Sequence, residues 1–224
     1  MKESIKLENV KKIYDRGQGA INDVSLCINE KEQVLIYGTA GSGKSTLMRL
    51  IAGLEVPSSG KVFVLDKAVH EMKSDVAADF RNLNFGIIQR NSCFMKSMNL
   101  LENVAMPLTV RGVATSKRIH AAKNQLKALG LLYAAHAYPE GISTYEAQLA
   151  SIARALIGQP KVLLLDEITA GLSEKEGSQI LGIIHDIEKL RDLVVISFSG
   201  TKDCILRWDR YFTLNHGRIQ EEIL

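Results

Sequence analysis

Residues 38–46 read Gly38-Thr39-Ala40-Gly41-Ser42-Gly43-Lys44-Ser45-Thr46, directly after the apolar run Gln33-Val34-Leu35-Ile36-Tyr37. A helical pattern follows, Leu47-Met48-Arg49-Leu50-Ile51-Ala52-Gly53-Leu54. Strand, glycine-rich turn and helix in this order satisfy G-x-x-x-x-G-K-[ST], the spacing of a phosphate-cradling loop. The glycines let the backbone curl so that successive N–H groups point inward at phosphate oxygens. The helix that starts there adds the positive end of its dipole. Lys44 supplies a point charge for the β- and γ-phosphates, and the Ser45 hydroxyl is placed to ligate Mg²⁺. Nucleotide binding at residues 38–46 is the first expectation.

The chain has 224 residues, enough for one α/β domain with a full core and an inserted subdomain. No apolar stretch approaches the ~18 residues of a membrane span. The opening Met1-Lys2-Glu3-Ser4-Ile5-Lys6 lacks the apolar core of a signal peptide. A cytoplasmic location is expected. The net charge of +3 is too small to imply nucleic-acid binding. Cys27, Cys93 and Cys204 are odd in number and scattered, which argues against a disulfide framework or a zinc site.

Along the chain, Ile5, Leu7 and Val10 begin an extended segment, and Ala20–Ile28 alternates as a half-buried strand after a turn at 15–19. Lys61–Leu65 reads as a strand, Ser74–Arg81 as a short helix, and Asn84–Ile88 as a buried strand ending at Gln89. From about Leu100 to Ile157 the pattern turns helical. Leu100, Leu101, Val104 and Met106 lead to Pro107; further helices cover Ser116–Leu132, interrupted near its end by Gly130, and Ser143–Leu156. Lys161–Leu165 is a short continuous apolar run of the kind found in a central parallel strand. A helix at Ser173–Leu190, a strand at Leu193–Ile196, a short helix at Lys202–Arg207 and a terminal hairpin (210–214 and 218–222) complete the reading.

The strand at 161–165 ends in Asp166-Glu167. A buried strand delivers both carboxylates to its C-terminal end, where α/β sheets bind ligands. Asp166 fits a Mg²⁺ ligand held through water, and Glu167 fits the group that takes a proton from, or orients, an attacking water.

With these residues together, the whole chain resembles an ATP-binding-cassette (ABC) transporter ATPase subunit, closest in pattern to the type that powers lipoprotein-release and macrolide-export permeases. The segments Ile152-Ala153-Arg154-Ala155-Leu156 and Lys161–Glu167 fix the alignment. The resemblance implies a P-loop α/β fold with a mostly parallel core sheet and an N-terminal antiparallel β subdomain. It also implies an inserted helical subdomain at 89–158, with 1–88 and 159–224 forming the remainder. It implies that Tyr14 stacks on adenine, and that Gln89 touches Mg²⁺ and the attacking water and links the site to a permease-docking groove. The implied ligands are ATP and Mg²⁺. The implied partners are an integral membrane permease and a second cassette, as homodimer or heterodimer, on the inner face of the membrane and without nucleic acid.

Three departures stand out. The family's Leu-Ser-Gly-Gly-Gln signature, which presents a helix N-terminus to the γ-phosphate held by the other subunit, falls on Ile142-Ser143-Thr144-Tyr145-Glu146. Both glycines are replaced; Ser143 remains as a nucleotide contact, while Tyr145 either blocks closure or points sideways. Ser143–Glu146 reads instead as a capping box, as does Ser173–Glu176, where the family has an aspartate at 173. The family's switch histidine falls on Gly200, after Ser199. Binding is therefore expected to survive better than turnover. The alternative is an ATP-sensing, non-hydrolytic subunit of a permease complex. A soluble relative acting on DNA or ribosomes is disfavoured by the lack of coiled coils or a duplicated cassette.

Overall fold

The structure is a computed structural model describing residues 2–14, 19–190, 193–202 and 208–222. The expected turn at 15–18, Cys204 and most of the short helix expected at 202–207 lie outside the described residues.

The first layer is antiparallel. Strands β1 (Glu3–Ile13) and β2 (Gly19–Asn29) pair with β4 (Ser59–Val64) and β5 (Lys67–Ala68) in the order β2-β1-β4-β5. The alternating apolar residues of β1 and β2 (Ile5, Leu7, Val10, Ile21, Val24, Leu26, Ile28) all point inward. The second layer is a six-stranded sheet, β10-β9-β3-β8-β7-β6. Its members are β3 (Gln33–Tyr37), β6 (Phe85–Gln89), β7 (Val162–Asp166), β8 (Val194–Ser199), β9 (Arg210–Asn215) and β10 (Arg218–Glu222). All neighbours in it run parallel except the terminal hairpin β9-β10. The α/β class expected from the sequence is the one observed.

The parallel strands are apolar on both faces because both faces are covered. On β7, Val162 and Leu164 join one core with β1, β2 and helix α1 (Lys44–Ile51). Leu163 and Leu165 join the other, with α3 (Leu100–Val110), α4 (Thr115–Ala128), α5 (Thr144–Leu156) and α6 (Glu174–Leu190). Helix α2 (Ser74–Asn84) leads into the edge strand β6.

Two helix ends differ from the sequence reading. Helix α3 continues through Pro107 to Val110. The missing N–H of Pro107 takes one bond, to Asn103 O, out of the helix ladder. An Asn99–Glu102 capping box fixes the start, and the ladder resumes beyond the proline, where the Pro107 carbonyl accepts from the Arg111 N–H (3.3 Å) and from the Asn82 side chain (3.3 Å). Helix α4 stops at Ala128, two residues before Gly130, whose φ of +72° closes it with a left-handed turn. Residues Leu132–Ala134 then form a separate 3₁₀ turn.

Arg111, at the end of α3, ties that helix to α2 and to the loop after α5. Its guanidinium donates to Gly158 O (2.9 Å), to Asn82 Oδ1 (3.3 Å) and to Asn82 O. Arg111→Ala leaves these acceptors without a charged donor, and is expected to lower stability by about 2 kcal/mol. A shift of the urea midpoint with unchanged slope checks this; an unshifted midpoint refutes it. Among the described residues, no helix is long and apolar enough to cross a membrane.

Candidate nucleotide site

The site forms where β3, β7, β8 and β6 end side by side. Tyr37 is the last residue of β3, and Gly38 N–H donates to Ser199 O (3.1 Å) at the end of β8. The loop then leaves the sheet. Thr39, Ala40, Gly41 and Ser45 are exposed, whereas Ser42, Lys44 and Thr46 are buried. Gly43 is the N-cap of α1, with φ +108°, and α1 has neither a side-chain cap nor an acidic residue in its first turn. Helices α3 and α5, by contrast, carry a carboxylate at their third position that closes the N-terminus internally. The first N–H groups of α1 are thus left for an external anion.

The Lys44 ammonium is only 5 % exposed and donates to Gly38 O (2.7 Å) and Thr39 O (3.0 Å) of its own loop. Both acceptors are neutral, so this buried charge lacks the full compensation a polyphosphate would give. The buried Ser42 hydroxyl has no hydrogen-bond partner. An orphaned hydroxyl, a buried ammonium and an uncapped helix start together fit a phosphate chain.

Asp166 is the register partner of Gln89 across β7 and β6. Burial pushes its carboxyl above the ordinary aspartate value, and the neighbouring Glu167 charge pushes the same way; Lys44, Arg49 and a hydrogen bond from Ser45 pull it back down. Ser45 and Asp166 therefore lie near each other, and Gln89 ends the adjacent strand. Among the described residues, no group of three or more His, Cys, Asp or Glu is placed to hold a metal. A Mg²⁺ here fits only as an ion completed by phosphate and water, which is how Mg²⁺ is usually held.

Glu167 takes a left-handed φ of +49°, and its N–H donates to Phe198 O (2.9 Å) on β8. A non-glycine residue in that region is uncommon and turns its side chain sharply off the strand. Its carboxylate lies 3.9 Å from the guanidinium of Arg90. On the other flank, a Cβ built on Gly200 would meet Glu167 Oε1 at 3.9 Å, so the position expected for a histidine does adjoin this acid.

Tyr14 follows β1 and is 40 % exposed. Its hydroxyl donates to Glu55 Oε2 (2.7 Å) and lies 3.3 Å from Thr46 Oγ1, with the Lys12 ammonium 5.4 Å from its ring centroid. The ring thus stands beside the first turn of α1. Glu55 and Arg90 were not singled out from the sequence. Arg90 carried one signal, a basic residue immediately after a strand-ending glutamine; Glu55 carried none. Arg154 was seen only as part of an aligned segment. It donates to Ser92 O and Cys93 O (3.2 Å), and its guanidinium lies 4.6 Å from the Phe94 ring centroid, pinning the segment after Gln89.

Ser143 lies away from this cluster, at the N-cap of α5. Its N–H (2.7 Å) and hydroxyl (2.8 Å) both donate to Glu146 Oε2, and its hydroxyl accepts from Glu146 N–H (3.2 Å). The Tyr133 hydroxyl donates to the other Glu146 oxygen. Tyr133 first, then the Ser143 N–H and hydroxyl, hold the Glu146 carboxyl below its ordinary value, so α5 carries its own anion at its N-terminus. Ser173 and Glu176 repeat the arrangement before α6. The Tyr145 ring packs against the helical core, and Thr144 is exposed at the first helical position.

The sequence profile of the ABC transporter family matches residues 21–170. The methionine import ATP-binding protein MetN 2 of Bacillus licheniformis is 35 % identical over 97 % of this chain, which spans 65 % of that protein's length. The lipoprotein-releasing system ATP-binding protein LolD of Rickettsia bellii is 33 % identical over 95 % of this chain and 96 % of its own. Among solved structures, the dimeric ATP-binding cassette MJ0796 in a post-hydrolysis state, bound to ADP and Pi, superposes with a TM-score of 0.89 at 29 % identity, covering 97 % of both chains. A chain whose glycine loop, uncapped helix and paired strand-end acids converge in this fold, and which matches these proteins over nearly its whole length, belongs to the ABC transporter family as an ATP-binding cassette.

Proposed function

We propose that this cassette binds Mg²⁺-ATP, closes with a second cassette around it and drives a membrane permease, with hydrolysis slowed by its altered signature helix. The carrying observation is the uncapped start of α1 with Lys44 buried beneath it, facing Asp166 and Glu167 on a neighbouring strand.

Residues 38–46 wrap the phosphates, with Lys44 on the β- and γ-phosphates and the α1 N–H groups completing the cradle. Ser45, Asp166 and Gln89 would hold Mg²⁺, which when bound neutralises charge on the phosphates. Glu167 accepts the proton of the attacking water. Tyr14, beside Thr46, offers its ring to adenine. We further read 89–158 as the helical subdomain, with 1–88 and 159–224 as the remainder. An apolar groove of about 320 Å³ lies where these parts meet, lined by Leu54, Phe85, Met106 and Val110 and edged by Arg81 and Arg111. We read it as the surface offered to the permease, with the chain on the inner face of the membrane.

The near end-to-end match with the lipoprotein-releasing protein supports the lipoprotein-release and macrolide-export type. The methionine import protein is slightly more identical, but this chain spans only 65 % of it. Slowed turnover rests on α5. Glu146 occupies Ser143 and brings a negative charge to the helix end that would otherwise attract phosphate. The same contact favours the second reading, a subunit that closes on ATP without hydrolysing it.

Restoring the family pattern separates the two. Thr144→Gly/Tyr145→Gly/Glu146→Gln is expected to raise permease-coupled ATP turnover about tenfold or more, with ATP affinity within threefold of the parent. Turnover already at the level of an ordinary cassette, and indifferent to the triple change, refutes the slowed-signature reading. No turnover in either protein, with dimers that persist for hours in Mg²⁺-ATP, selects the sensing reading.

A further inference from the structure

Glu167 projects from a left-handed residue at a strand end, beside a second carboxylate and at the mouth of a phosphate loop. The phosphates of ATP would bring further negative charge beside it. A carboxylate so placed swings away from the phosphates unless a cation or a donor restrains it.

The two flanks of β7 differ in what they offer. On the β8 side stands Gly200, which has no side chain. On the β6 side, Arg90 N–H donates to Asp166 O (2.8 Å), extending the ladder one step beyond the Gln89–Asp166 pair. That bond sets the Arg90 backbone level with Glu167, and its guanidinium reaches Glu167 Oε2 at 3.9 Å. Among the described residues, this is the only ion pair of Glu167.

We propose that Arg90 is the positioning residue for Glu167, holding the carboxylate over the pocket from the β6 flank while Gly200 on the β8 flank offers no side chain. The proposal rests on the reading of Glu167 as the group that activates water. Arg90 acts through Glu167 rather than on the reacting atoms. Its side chain is 60 % exposed, so the pair is screened by salt and restrains an orientation more than it stabilises the fold.

The test is single-turnover phosphate release from ATP with the purified chain in excess, alongside Mg²⁺-ATP affinity by calorimetry. Arg90→Ala is expected to slow release about tenfold with affinity within twofold, the pattern of a group that matters only in the transition state. Arg90→Lys is expected to recover part of the rate, because the charge returns without the planar fork. In a Glu167→Gln background, Arg90→Ala is expected to add nothing further. A rate within twofold of the parent, or the same loss in both backgrounds, overturns the proposal. If Glu167→Gln alone keeps the parent's rate, the underlying reading of Glu167 fails instead, whatever Arg90 does.

Discussion

Gly43→Ala is expected to unfold the phosphate loop and lower the melting temperature by about 4–24 °C. Two costs combine. At φ +108° an L-residue is strained by about 1–3 kcal/mol. The new Cβ would also lie 2.3 Å from Ala20 O and 3.1 Å from Ile21 Cδ1, and backbone oxygen cannot step aside as a flexible side chain can. Overpacking of that kind costs a further ~1–3 kcal/mol. A chain of this size loses about 2–4 °C per kcal/mol. Gly41→Ala is the control. It shares a positive φ, +78°, but nothing lies within 4 Å of its Cβ, so only the strain applies. Thermal scans of both variants, with ATP titrated by calorimetry, check this. If Gly43→Ala melts no lower than Gly41→Ala, β2 does not stand against the loop as described.

Glu167→Gln is expected to cut ATP turnover by at least about 100-fold while leaving ATP affinity within threefold. The amide keeps the side chain's size but loses its charge and its capacity to accept a proton, the latter worth about 10²–10⁴ in rate for a general base. A second effect separates this variant from simple damage. Burial first, and the Glu167 charge second, raise the Asp166 carboxyl above its ordinary value. In the folded parent Asp166 therefore keeps its proton to a higher pH than in the unfolded chain. That contribution to stability is full below the ordinary aspartate value and fades as pH rises through the raised one. Metal binding needs the ionised form. Removing the Glu167 charge lowers the Asp166 value, so Mg²⁺-dependent ATP binding in Glu167→Gln is expected to persist to lower pH than in the parent. Retained turnover, or an unmoved acid limb of Mg²⁺ dependence, contradicts the assignment.

The parts of this molecule legible in its sequence are those governed by neighbours along the chain. The glycine loop after an apolar strand and the capping boxes at Ser143 and Ser173 depend on spacing within five or six residues, and they stand as read. Helix α3 passes Pro107 to Val110, and the Asn82 side chain that meets the Pro107 carbonyl from 25 residues away belongs to no local pattern. The side taken by Tyr145 is decided by the helical core, which local sequence does not reveal. Gly200 falls at the family's histidine position by counting alone, and only the fold shows that a Cβ there would lie 3.9 Å from Glu167 Oε1. The pairing of Arg90 with Glu167 spans two strands that are adjacent in space and 77 residues apart, and only the β6–β7 register brings them together.

The phosphate loop leans on two distant pieces of chain. Gly217 N–H donates to Ser42 O (3.0 Å), and Asn22 N–H donates to Gly217 O (2.8 Å), so the turn of the β9-β10 hairpin is wedged between the loop and β2. Gly38 approaches the hairpin so closely that a Cβ there would lie 2.2 Å from Leu214 O. During synthesis on the ribosome, residues 38–46 emerge long before that brace does. A nascent chain halted before residue 217 has the motif but no finished cradle, so nucleotide capture waits for the hairpin to leave the exit tunnel and dock.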